Sequence, residues 1–178
     1  MNNKLLVIIN GAARSGKNTF TDFAQLELFQ LNVTSKLISS VDSVKQAALL
    51  LGWDGAKDET GRKFLSDLKD LSSSAYDGPY LEICREFESM QEEILFVMVR
   101  EPAEIKKLVD TFGNQCLTVL IRRPGTNGVY NNHADENVEG WSYGYGINNI
   151  GDLEDLERSA ALFARGLLPR DLCQKGPQ

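Results

Sequence analysis

Cysteine, histidine and proline are scarce: the 178 residues contain three, one and five of them. Cys84, Cys116 and Cys173 are odd in number and far apart, no CxxC pair exists, and a lone histidine cannot complete a zinc site with them. A disulfide framework and a structural zinc are therefore not what organises this chain, and a reducing cytoplasm is the expected compartment. Positive charge is short as well, with 19 Lys+Arg against 25 Asp+Glu and a net charge of −6. That balance argues against polymeric nucleic acid as partner, because duplex binding needs a basic face. No apolar run approaches the roughly 20 residues of a membrane span, so no membrane partner is expected. The residues ahead of Gly11 carry one lysine and no small-residue cleavage site, so no signal peptide is expected either.

What is present is ordinary in bulk, 42% hydrophobic and 25% charged, and sufficient for a single domain over residues 1–178 with a full core. One stretch is not ordinary. Gly11-Ala12-Ala13-Arg14-Ser15-Gly16-Lys17-Asn18 follows the apolar run Leu5 to Asn10 and precedes a helical pattern. Strand, glycine-bounded loop and helix in that order form a P-loop. The glycines let successive N–H groups turn toward one anion, the helix N-terminus adds positive dipole, and Lys17 can reach the outer phosphates. The expected ligand is ATP bound by residues 11–19, with Mg2+. Asn18 stands where a Ser or Thr hydroxyl normally meets the metal, and Thr19 follows it, so the metal falls to Asn18 or Thr19.

Strand and helix patterns then alternate. Helical spacing covers Thr19 to Leu31 and Asp42 to Leu51. One or two helices lie between Lys57 and Met90, with an interruption at Ser72 to Pro79. Pro102 to Phe112 is a helix stopped by Gly113, and Asp152 to Leu167 is a closing helix with Leu153, Leu156, Ala160, Leu162 and Phe163 facing inward. Strands are expected at Leu5–Ile9, Ser35–Ser40, Ile94–Val99, Cys116–Ile121 and Tyr145–Asn148. Arg122 to Tyr145 reads as a long loop, and the tail from Pro169 as loose. The fold expectation is α/β: a three-layer P-loop NTPase fold with a central parallel five-stranded sheet, a helical substrate insert at about 52–92 and a lid loop at about 122–145. Ligands of such sheets gather at the carboxyl ends of the strands, which singles out Gly11 to Thr19, Asp42, Arg100, Arg122, Arg123 and Asn149.

The order of these parts resembles the phage deoxynucleoside monophosphate kinases, and more loosely dephospho-CoA kinase and animal-type phosphomevalonate kinase. The resemblance rests on Ser15-Gly16-Lys17-Asn18-Thr19, on Asp42 and Lys45 after the second strand, and on Arg100 with Glu104. It continues through Arg123-Pro124, His133 with Glu136 and Asn137, and Asn149 with Gly151 before an acidic helix start. Two positions depart from the family: Asn18 replaces an acid of the phosphate loop, and Met98 stands where an Asp usually precedes the arginine. The middle segment is also shorter than in the phage enzymes.

The resemblance implies transfer of the γ-phosphate of ATP to a deoxynucleoside or ribonucleoside monophosphate. Lys17, Asp42, Arg100 and Arg123 would be the catalytic set, and Asn149 would join the loop in holding the nucleotide. Asp42, Lys45, Arg62, Arg100, Glu104, His133 and Glu136 would face the acceptor. Glu104, one helical turn beyond Arg100, is placed to pair with it, while Asp42 reads equally as a helix cap. A nucleotide-binding regulator or slow hydrolase is the rival reading, and a kinase of another small phosphorylated metabolite is a third. Monomer and homodimer both remain open.

Overall fold

A computed structural model describes residues 4–125 and 137–168. Its centre is a five-stranded, all-parallel sheet in the order β2-β3-β1-β4-β5. The strands are β1 (Leu5–Asn10), β2 (Ser35–Ser39), β3 (Ile94–Met98), β4 (Cys116–Arg122) and β5 (Tyr145–Asn148). Between them run α1 (Lys17–Gln30), α2 (Asp42–Leu50), α3 (Glu59–Tyr76), α4 (Gly78–Ser89) and α5 (Pro102–Phe112), and α6 (Leu153–Gly166) closes the domain. This is the expected α/β architecture, with strand ends within one residue of those read from the apolar runs.

Side-chain alternation along the strands splits the core in two. Val7 and Ile9 face one side with Phe96, Val119 and Ile121, and pack against Phe20, Ala24 and Leu28 of α1 and Leu156, Ala160 and Phe163 of α6. Leu6 and Ile8 face the other with Leu95 and Val97, and pack against Ile83 and Phe87 of α4 and Ile105 and Leu108 of α5. β1 is central and buried on both faces, which is why its run is unbroken rather than alternating. The Phe20 and Phe163 rings, 5.5 Å apart, join the first helix to the last.

Three local expectations need correction. The break between the middle helices is confined to Asp77 (φ 50°) rather than spanning Ser72 to Pro79. α3 continues through its serines because Ser74 bonds back to the Leu71 carbonyl at 3.2 Å and Ser73 faces α5. Leu153 and Leu162 are 60% and 66% exposed, because the buried stripe of α6 runs through Leu156, Ala160 and Phe163 and these two lie off it. The start of α6 is set by a capping box in which the Asp152 and Asp155 side chains each accept from the other's backbone N–H.

Among the described residues no helix is long and apolar enough to cross a membrane. Burial pushes the Cys116 thiol up to about 12, so almost no thiolate exists there at neutral pH. Iodoacetamide at pH 8 is expected to leave Cys116 unlabelled in the folded protein and to label it fully after denaturation, read by peptide mass spectrometry. Labelling at equal rates in both states would contradict the packing of β4.

Candidate active site

The loop between β1 and α1 is held in a shape that only its own residues permit. Gly11 has φ 150° and Gly16 φ 93°. A Cβ on Gly11 would collide with the Ile121 backbone oxygen and lie 2.7 Å from Ser15 Oγ, and one on Gly16 would lie 2.5 Å from Asn149 Nδ2. Arg14 carries a left-handed φ of 61°, a conformation that costs a non-glycine residue about 1–2 kcal/mol. Lys17 folds over the loop, its Nζ donating to the carbonyls of Gly11 (2.5 Å) and Ala12 (2.7 Å). The Ser15 hydroxyl is buried beneath the loop and, among the described residues, has no hydrogen-bond partner. A cationic side chain, a helix N-terminus and an orphan hydroxyl around one small concavity fit an anion.

Asn149 braces this loop from the far edge of the sheet. It is 5% exposed, its Nδ2 donates to the Ser15 carbonyl at 3.0 Å, and its own N–H donates to the Arg122 carbonyl at 2.7 Å. Its amide nitrogen is thus turned toward the loop, just ahead of the start of α6. Beside it the residues leading into α6 form a cleft of ≈ 330 Å³ lined by Asn148, Ile150, Asp155, Arg158 and Leu162 among others. Ile150 and Leu162 are well exposed there, giving the cleft apolar walls.

The remaining candidates occupy the carboxyl edge of the sheet, with two changes of partner. Asp42 opens α2, and its carboxylate accepts from the Ser39 N–H at 2.7 Å and from Lys45 Nζ at 2.9 Å. Asp42 and Lys45 thus pair with each other at the β2–α2 turn. Glu104, expected on Arg100, instead receives Lys69 Nζ (3.1 Å) and Ser73 Oγ (3.5 Å) from α3. Lys69 and Glu104 are each only 13% exposed, and a pair that has lost its water is held by mutual charge. Arg100 follows β3 and is half-buried, whereas Arg62, in the first turn of α3, is exposed.

Arg122 forks onto Glu139 at 2.9 and 2.7 Å, and that bond raises the Arg122 pKa and holds Glu139 below the usual carboxylate range. Arg123, the next residue, is exposed. Asn18 is exposed and Thr19 half-buried in the first turn of α1. Among the described residues no group of three His, Cys, Asp or Glu could hold a metal. A Mg2+ ion would be held by phosphate oxygens, waters and one of these two side chains, as that ion commonly is. His133 and Glu136 lie outside the described residues.

The residue types alone did not single out Asn10, Lys69 or Glu139. Asn10 had a visible signal, an amide ending a wholly apolar run. Lys69 and Glu139 had none, since a charged residue in a polar segment looks the same whether or not it finds a partner.

A five-stranded parallel sheet that opens with a strand, a glycine-bounded phosphate loop and a helix is the P-loop kinase-type fold. Neither a protein-family model nor a curated protein matches the sequence. Solved structures do match in shape. A Chloroflexus aurantiacus protein described as a candidate kinase superposes with a TM-score of 0.51 at 13% identity, over 93% of this chain and 98% of that one. A gluconokinase from Sinorhizobium meliloti follows at 0.49 and 11%, over 98% and 99%. The Mycobacterium tuberculosis APS kinase, solved with AMPPNP and APS, gives 0.46 and 12%, over 98% and 100%.

Proposed function

We propose that this protein transfers the terminal phosphoryl group of ATP to a nucleoside monophosphate, ribo- or deoxy-. The observation that favours this acceptor is that, among the described residues, no strand of the sheet ends on a carboxylate. Met98 ends β3, Asn10 ends β1, and both oxygens of Asp42 are engaged by Ser39 and Lys45. A hydroxyl acceptor needs a base to take its proton in the transition state. A phosphate monoester is already an anion, so its oxygen attacks without one. That oxygen bonds to the γ-phosphorus while the bond from phosphorus to the bridging oxygen breaks, leaving ADP as the anion, and no proton moves.

Such a transfer depends on alignment and charge neutralisation rather than covalent catalysis. Lys17 and the loop amides would hold the donor phosphates, and the cleft beside Asn149 has the size and apolar walls for the donor base. Arg100 would fork onto the acceptor phosphate and Arg123 onto the group in transit. Mg2+, held through Asn18 or Thr19, would neutralise the outer phosphates.

Coupled measurement of ADP release tests this, using a panel of ribo- and deoxynucleoside monophosphates against gluconate, shikimate and no acceptor. Release is expected only with nucleoside monophosphates. Equal release without acceptor would identify a hydrolase, and release with an uncharged hydroxyl alone would overturn the carboxylate argument. Release with a phosphorylated non-nucleotide would keep the chemistry and change the substrate.

A further inference from the structure

Asn10 is fully buried at the end of β1, and both ends of its side-chain amide are in use. Its Oδ1 accepts from the Gly11 N–H at 2.7 Å, and its Nδ2 donates to the Arg100 carbonyl at 3.1 Å and to Tyr143 Oη at 2.7 Å. Tyr143 Oη donates onward to the Val138 carbonyl at 2.8 Å. Three segments thus meet on one side chain: the phosphate loop, the exit of β3 that carries Arg100, and the arm that leads into β5.

The position in the sheet explains why an amide is needed. The backbone ladder between β1 and β3 runs to Ile9 opposite Met98, and its last bond is Val99 N–H to the Ile9 carbonyl at 3.3 Å. At Gly11 the chain turns away into the loop, so the backbone cannot continue the pairing. The Asn10 side chain continues it by one residue, reaching the Arg100 carbonyl. A leucine or valine would fill the volume but leave the buried Gly11 N–H without a partner, at about 1–3 kcal/mol, and would break the bonds to the Arg100 carbonyl and to Tyr143. Burial pushes Tyr143 up to about 12, so its hydroxyl stays a donor throughout the working range.

We propose that Asn10 is a positioning residue that fixes the gap between the phosphate loop and Arg100, with Tyr143 anchoring its amide, so that the donor and acceptor sides of the site move as one unit. This rests on the phosphotransferase reading and deepens it. A displacement of about 1 Å between reacting groups can cost on the order of 100-fold in rate, and the amide spans the junction where such a slip would occur.

Two variants test it, with kcat, both KM values and ADP affinity measured by calorimetry. Asn10→Asp keeps the shape and the bond from Gly11 but loses the amide's two donations, of which a protonated carboxyl could return only one. It is expected to lower kcat by about 100-fold and to raise the acceptor KM while leaving the ADP Kd within about threefold, a change of under about 0.7 kcal/mol. Tyr143→Phe, which keeps the ring packing, is expected to lower kcat by about tenfold, equivalent to losing one hydrogen bond. The double variant should fall short of the product of the two.

A parallel loss of ADP affinity and melting temperature with an unchanged acceptor KM would make Asn10 a purely structural residue and overturn the proposal. If the wild-type protein turns over no nucleoside monophosphate, the functional reading fails, and hydrogen exchange then decides the inference by itself. ADP should protect amides 98–101 along with the phosphate loop in the wild type, and the loop alone in Asn10→Asp or Tyr143→Phe. Protection confined to the loop in the wild type, or reaching 98–101 in both variants, would overturn it.

Discussion

Lys17→Ala is expected to lower acceptor-dependent kcat by roughly 10²–10³-fold, the loss seen when one preorganised charge-stabilising donor is removed from a transition state. The expectation follows from where the ammonium sits. Its hydrogen bonds to the Gly11 and Ala12 carbonyls place it across the mouth of the loop, so it meets incoming phosphates without searching for them. A smaller effect on folding is expected, about 1 kcal/mol, the net worth of a typical hydrogen bond. A thermal melt and a steady-state assay on the same preparation separate the two quantities. Unchanged kcat at saturating ATP would show that the loop does not hold the reacting phosphates.

Gly11→Ala should do the opposite, damaging the fold first and activity as a consequence. The added Cβ would meet the Ile121 carbonyl oxygen, and that oxygen belongs to the backbone of β4, which is hydrogen-bonded to β1 and β5. No side chain can rotate away to make room. The φ of 150° adds backbone strain. Overpacking and strain together are expected to cost roughly 2–5 kcal/mol, which in a domain of this size lowers the melting temperature by on the order of 10 °C. Gly55→Ala is the control: φ is 91° there but nothing lies within 4 Å, so strain alone, about 1–2 kcal/mol, is expected. Equal losses in the two variants would mean that the contact with β4 is immaterial.

The parts of the fold legible in the sequence were those governed by local rules. Unbroken apolar runs marked the central strands because a sheet covered on both faces leaves no polar side. Gly113 and Pro102 bounded a helix by backbone geometry alone, and the phosphate loop was visible because its chemistry demands glycine at fixed spacing. What escaped was partnership across the chain. Glu104 was assigned to Arg100 as its helical neighbour, but Lys69, 35 residues upstream, holds it. The place of Asn149 after a strand marks it as a site residue, but its bond to the Ser15 carbonyl depends on how the end of the chain returns to the loop, which no local pattern specifies. Leu153 and Leu162 belong to the apolar pattern of the closing helix, yet its buried stripe runs through Leu156, Ala160 and Phe163 and leaves both exposed.

The brace from Asn149 to Ser15 joins residues 134 positions apart, and the helix beside it packs on α1 through Phe163 and Phe20. During synthesis, the loop near the N-terminus therefore emerges long before the element that seats it. A nascent chain carrying residues 1–140 has the whole glycine motif without the Asn149 brace. An anion that needs the seated loop would therefore stabilise the finished domain rather than its early stages on the ribosome.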